Sequence, residues 1–269
     1  MIEVQKLRKT FRDRKRGEIP AVEDISFFCP PGKVFGLLGR NGAGKTTTLR
    51  MLATILVPTS GTAKVAGHDI VEQPAAVRRA IGYLSGETKL YDRLTGRDLL
   101  EYFGALAGMN AAAIQPRIKE LTEPFGLEEI LVKRVGKMST GMKQRLSIAR
   151  VVFHDPQVLI FDEPTAGLDV IGARAVLDLI QDLKKKGRTV IFSSHIMTEA
   201  ERICDEIAII ERGRILAQGT LESLRRNAGP GASSLEDIFI GVVGGGRDEE
   251  NGDRMPSPVM SAVARRSER

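Results

Sequence analysis

"GRNGAGKT", residues 39–46, decides how the rest of the chain is read. It fits the spacing GxxxxGK[ST], follows the apolar run VFGLL and opens onto TTTLRMLATI, whose patterning is helical. A strand, a glycine-rich turn and a helix start, in that order, make a phosphate-binding loop. Gly39, Gly42 and Gly44 let the backbone bend around phosphate oxygens, while successive N–H groups and the helix N-terminus attract the anion without side chains. Lys45 adds a positive charge toward the β- and γ-phosphates, and Thr46 offers a hydroxyl to Mg²⁺. Arg40, Asn41, Ala43 and Thr47 complete the loop expected to touch the nucleotide.

Outward from the loop, short β-rich runs alternate with helical patterns: IGYL (81–84), VLIF (158–161), TVIFSS (189–194) and EIAII (206–210) join VFGLLG (34–39). That alternation predicts an α/β fold with a largely parallel sheet. Between about residues 87 and 156 the pattern is helical without strands, which reads as a helical insertion in the α/β core. After SLEDIFIGVV the chain turns glycine-rich, charged and aperiodic, so residues 244–269 are expected to form a disordered tail that cannot bury enough apolar surface to offset its ordering entropy.

Bulk properties set limits. The chain has 269 residues, 42% of them hydrophobic, enough for a substantial core. No apolar run approaches the roughly 18 residues of a membrane span. Forty Lys and Arg against thirty-four Asp and Glu leave +6, a mild excess that suits nucleotides, nucleic acid or an anionic membrane surface equally. The basic cluster RKTFRDRKR (8–16) reads as a solvated loop. Cys29 and Cys204 stand apart, form no CxxC and are expected to be packing residues in a reducing compartment.

The second chemical element is VLIFDEP (158–164), a buried strand whose end delivers two carboxylates on the side of a parallel sheet where ligands bind. Asp162 is placed to hold the Mg²⁺ shell, and Glu163 to polarise an attacking water. His195 follows TVIFSS, again at a strand end, and is placed for a γ-phosphate; His68 and His154 read as turn residues. A third stretch, KMSTGMKQR (137–145), has Ser139 at a helix N-cap, with Met142, Leu146, Ala149 and Phe153 at helical spacing. On its own it is an ordinary capped helix whose free N–H groups could hold an anion.

The order of these motifs resembles the ATP-binding cassette family, the nucleotide-hydrolysing subunits of membrane transporters, over about residues 1–243. The resemblance implies a P-loop core with an antiparallel β subdomain near the N-terminus and an inserted helical subdomain. It aligns AGLD (166–169) with the family's dimer-contact loop, with Asp169 as the contact, and His195 with its switch histidine. MSTGM (138–142) falls where the family has its signature, usually LSGGQ; Ser139 and Gly141 are kept, while Met138, Thr140 and Met142 differ. In the family two cassettes pair head to tail, and each signature helix binds the γ-phosphate held by the other chain. Ser139, Thr140, Gly141 and Met142 are thus expected to act in trans. Phe11 matches the aromatic that stacks on adenine, with Val22 as its neighbour. Where the family carries a glutamine touching Mg²⁺ and the membrane partner, IGYLSGETKLY offers Gly86, and Glu87 is the candidate to take over.

The expected activity is therefore hydrolysis of ATP with Mg²⁺ at two composite sites, powering a separate membrane-spanning permease. The expected partner cassette is an identical chain, with a different chain as the alternative. The form STGMKQR, the stretch FGLLGRNGAGKTTTLRML and LEDIF resemble the export branch, which serves sodium, drug or polysaccharide efflux. The expected location is cytoplasmic, at the inner face of the cell membrane. An alternative, a cassette acting on nucleic acid in repair or translation, usually brings coiled-coil arms, zinc modules or tandem cassettes, none of which is in this sequence.

Overall fold

The computed structural model describes residues 1–15, 17–86, 90–229 and 232–245. The chain starts with two long antiparallel strands, β1 (Ile2–Asp13) and β2 (Gly17–Cys29), then β3 (Val34–Leu38) leads into the glycine loop and α1 (Lys45–Leu52). Next come β4 (Ser60–Val65), the two-residue β5 (His68–Asp69), α2 (Pro74–Ala80) and β6 (Ile81–Leu84). Four helices follow, α3 (Gly96–Leu106), α4 (Ala111–Phe125), α5 (Glu128–Val132) and α6 (Thr140–Val152). The chain then runs through β7 (Val158–Asp162), α7 (Val170–Lys185), β8 (Thr189–Ser194), α8 (Met197–Ile203), β9 (Glu206–Glu211) and β10 (Arg214–Gly219). It closes with α9 (Leu221–Ala228) and α10 (Leu235–Gly245).

Two sheets result. One is antiparallel, in the order β2-β1-β4-β5; the other runs β10-β9-β3-β8-β7-β6, parallel throughout except for β10. Strands β3, β7 and β8 are buried at every residue, as their unbroken apolar runs require of strands covered on both faces. Alternate side chains go to opposite sides. Val34, Leu159, Phe161, Val190 and Phe192 pack with the helices α3–α7, and Phe35, Leu37, Val158, Ile160, Ile191 and Ala208 pack with α1 and the antiparallel sheet.

Register places the chemistry. Leu38 lies opposite Ser194 and Asp162 opposite Ser193, so β3, β7 and β8 end together and deliver the glycine loop, the acidic pair and His195 to one edge of the sheet. The cluster at 8–16, expected as a loop, is instead largely strand: β1 runs to Asp13 because cross-strand pairing with β2 continues through Phe11↔Ile19 and Asp13↔Gly17. Helix α10 extends to Gly245; residues 246–269, expected to form most of the tail, lie outside the described residues.

Candidate nucleotide site

A cavity of about 340 Å³ opens at this edge, lined among others by Gly42, Gly44, Lys45, Thr46, Thr47, Asp162 and Glu163. The glycine loop is held from behind. Gly44 has φ +107, and a Cβ there would stand 2.6 Å from the carbonyl oxygen of Ala21, so the loop can pass only as glycine. Ala43 accepts the N–H of Gly213 at 2.8 Å, tying the loop to the β9–β10 turn. The Lys45 ammonium is almost wholly buried, a position tolerated because its Nζ donates to the carbonyls of Gly39 (2.8 Å) and Arg40 (3.1 Å) and pairs with Glu163 Oε1 at 3.3 Å.

The acidic pair is organised by the end of β8. Ser193 Oγ donates to Asp162 Oδ1 at 2.7 Å and accepts the N–H of Glu163 at 3.0 Å. Thr46 Oγ1 donates to the same Asp162 oxygen at 3.2 Å. Burial pushes the Asp162 carboxyl above its ordinary range, and the hydroxyls of Ser193 and Thr46 pull it partly back. Glu163 sits at φ +49, a left-handed conformation costing about 1 kcal/mol or more for a residue with a Cβ. It turns the carboxylate between two cationic or protonatable partners, Lys45 on one oxygen and His195 Nδ1, 3.3 Å away, on the other.

Other expected residues fall elsewhere. Arg40 and Asn41 line a smaller cavity of about 220 Å³ with Gly39, His195, Met197 and Phe239; Asn41 also lines the larger one. Phe11 is half-exposed opposite Ile19, with Lys9 Nζ 5.3 Å from its ring centre, and is not among the residues lining the larger cavity. Val22 is a correction: it is fully buried in the core, and its neighbour Ala21 lines the cavity instead, because successive strand residues face opposite ways. Ser139 caps α6, its Oγ accepting the Met142 N–H at 3.3 Å. Ser139 and Thr140 are exposed, and a Cβ built on Gly141 would meet nothing within 4 Å. The Met142 side chain instead packs inward with Leu146, Ala149 and Phe153, which corrects its expected place at the ligand-facing surface. Asp169 is exposed and caps α7, accepting the Gly172 N–H at 2.7 Å. Gly86 lines the cavity; Glu87 lies outside the described residues.

Sequence reasoning missed Ser193, Ala21, Arg50 and Ser85, all at the site, and Gln144, whose amide donates to the carbonyl of Pro164 next to Glu163. The pair Ser193–Ser194, polar at the end of an apolar strand, was the available signal for the first of these.

A phosphate loop, a buried lysine and a carboxylate pair at adjoining strand ends of a parallel sheet define a P-loop nucleotide hydrolase. Residues 22–166 match the ABC transporter family model. The chain is 45% identical over 225 residues to the ABC transporter ATP-binding protein NatA of Bacillus subtilis, covering 83% of this chain and 91% of that one. It is 40% identical over 223 residues to the Nod factor export ATP-binding protein I of Paraburkholderia xenovorans, covering 83% and 72%. The solved structure of an ATP binding subunit of an ABC transporter superposes with a TM-score of 0.81 at 31% identity, covering 90% of this chain and 99% of that chain. The chain belongs to the ABC transporter family, as an ATP-binding and ATP-hydrolysing subunit. These relatives do not favour the nucleic-acid alternative.

Proposed function

We propose that two of these cassettes close head to tail on ATP, each presenting its Ser139–Gly141 turn to the γ-phosphate held by the other's Gly39–Thr47 loop. The observation that carries this reading is that Ser139 and Thr140 are exposed and that the turn contributes nothing to the phosphate cavity of its own chain. Its open backbone at Gly141 leaves room for a phosphate to approach closely. Thr140 lies beside it, and Asp169, with the exposed Val170 and Ile171, extends the surface that a second cassette would cover. An identical chain is the partner proposed.

Within each site Lys45 moves its charge from the Gly39 and Arg40 carbonyls to the phosphates, and the loop N–H groups hold their oxygens. Glu163, released from Lys45, orients and polarises the water that attacks the γ-phosphate; His195 steadies the Glu163 carboxylate and faces the same phosphate. Thr46 and Asp162 are the residues to hold Mg²⁺. They fit it: a hydroxyl and a carboxylate converge within 3.2 Å, hard oxygen donors of the kind that bind Mg²⁺ together with substrate phosphates. Bound there, Mg²⁺ would offset charge on the phosphate oxygens. Phe11 is proposed to stack on adenine from the β1–β2 hairpin.

Closure on ATP and opening after hydrolysis would drive a membrane-spanning permease, through which the chain is held at the inner face of the cell membrane. The likeness to a Nod factor export protein supports an outward direction of transport. No helix among the described residues is long and apolar enough to cross a membrane.

The test mixes two dead variants. Lys45→Ala disables the phosphate loop, and Gly141→Asp places a carboxylate where the γ-phosphate must approach. Each alone should be inactive. In a mixed dimer one site carries both lesions and the other carries neither, so turnover should return on mixing and vanish on dilution. With heterodimers confirmed by crosslinking, continued silence refutes the trans arrangement.

A further inference from the structure

Glu199, on α8, is only 6% exposed, and the chemistry above does not use it. Its Oε2 accepts the hydroxyl proton of Ser194 at 2.8 Å, and the Ser194 side chain is itself buried. The same hydroxyl oxygen accepts the N–H of Ile196 at 2.9 Å. A serine has one proton to give, so giving it to Glu199 turns a lone pair toward Ile196. The competing acceptor, the Ile196 carbonyl, stands at 3.4 Å. Residues 194 and 196 flank His195, so these two bonds clamp the backbone on either side of the imidazole that lies 3.3 Å from Glu163. A carboxylate buried against a neutral hydroxyl is costly for mere packing, which an apolar side chain would do better.

We propose that Glu199 is a positioning residue for His195: through Ser194 it fixes the 194–196 turn, and so keeps the imidazole between the Glu163 carboxylate and the rim formed by Gly39, Arg40 and Asn41. This rests on the role proposed for His195. Glu199 lines neither the phosphate cavity nor the smaller cavity beside it, so its effect must pass through the ring.

The experiment measures ATP turnover, ATP affinity and the imidazole NMR signals in Glu199→Ala, Ser194→Ala, Glu199→Gln and His195→Ala. The His195 signal is assigned by its loss in His195→Ala. Glu199→Ala and Ser194→Ala should each lower kcat about tenfold, the worth of one well-made hydrogen bond, with KM and ATP affinity unchanged. The His195 signal should shift in both, while those of His68 and His154 stay. Glu199→Gln keeps an oxygen that accepts from Ser194 and should restore both the signal and most of the turnover. The inference is overturned if Glu199→Ala and Ser194→Ala keep wild-type kcat and an unmoved His195 signal. It is overturned equally if the amide variant is as impaired as the alanine one, or if the loss falls on ATP affinity. Should His195→Ala retain full turnover, the role of His195 fails and this inference with it. A dead His195→Ala beside a normal Glu199→Ala would refute the inference alone.

Discussion

Ser193→Ala removes one oxygen atom from the floor of the site, and its cost can be worked out bond by bond. The side chain is fully buried and serves two neighbours, donating to Asp162 at 2.7 Å and accepting from the Glu163 N–H at 3.0 Å. Glu163 keeps a second acceptor, the Ser193 carbonyl at 3.2 Å, so its loss is slight. Among the described residues Asp162 keeps the bond from Thr46, at 3.2 Å, and loses its shorter one. A hydrogen bond to a charged group is worth about 1.5–3 kcal/mol, so the variant should lose roughly 2 kcal/mol. For a chain of this size that is a fall in Tm of about 4–8 °C. The pH dependence identifies the cause. Burial raises the Asp162 carboxyl above its unfolded value, so ionisation disfavours the fold, and stability is lost as pH rises from the unfolded value through the folded one. Ser193 opposes that rise; without it the folded value climbs further, and the gap between variant and wild type should widen from about pH 4 toward pH 7. Scanning calorimetry without nucleotide, across that range, is the assay. Asp162→Asn is the control, and in its background Ser193→Ala should cost about 1 kcal/mol, as for a neutral bond. A pH-independent drop, or the same drop in the control background, would refute the argument.

Two further outcomes are expected. Glu163→Gln should bind ATP normally yet turn over at least about a hundredfold more slowly, because an amide cannot polarise the attacking water; gel filtration with Mg-ATP should find a trapped dimer, and an active monomer would remove Glu163 from its role. Gly44→Ala forces a Cβ to within 2.6 Å of the Ala21 carbonyl at φ +107, so it should cost about 2 kcal/mol or more and abolish ATP binding, measured by thermal melting with and without nucleotide.

The phosphate loop, the acidic strand and His195 were legible in the sequence because each rests on local backbone geometry: a strand end followed by a turn of fixed composition. The antiparallel hairpin was harder. Register shifts between Val4 and Thr10 break the alternation of β1 against β2, so no pattern in PAVEDISFF tells whether Ala21 or Val22 faces the ligand. Met142 misled for the opposite reason. Its helical spacing with Leu146, Ala149 and Phe153 already pointed it to the core, but its place in the signature resemblance put it among the ligand-facing residues. Ser193 and Ser194 are adjacent yet hold different partners, Asp162 on one side and Glu199 on the other, and only the sheet register separates them.

Gln144 shows how the two ends of the proposed mechanism meet. It lies one turn into α6, the helix capped by Ser139, and its amide donates to the Pro164 carbonyl immediately after Glu163. From Pro164 the chain runs through AGLD to the Asp169 cap of α7. The helix that would meet the partner's phosphate is therefore bonded to the segment that aims its own chain's carboxylate, and that segment ends on the surface that would touch the partner. A shift of α6 on meeting a γ-phosphate must strain the Gln144–Pro164 bond or carry Pro164 with it, and Glu163, already in a left-handed conformation, is the nearest residue able to absorb the turn. If two copies pair as proposed, the nucleotide held by one chain then biases the aim of the carboxylate in the other, while a site whose own loop and facing helix are intact can still turn over.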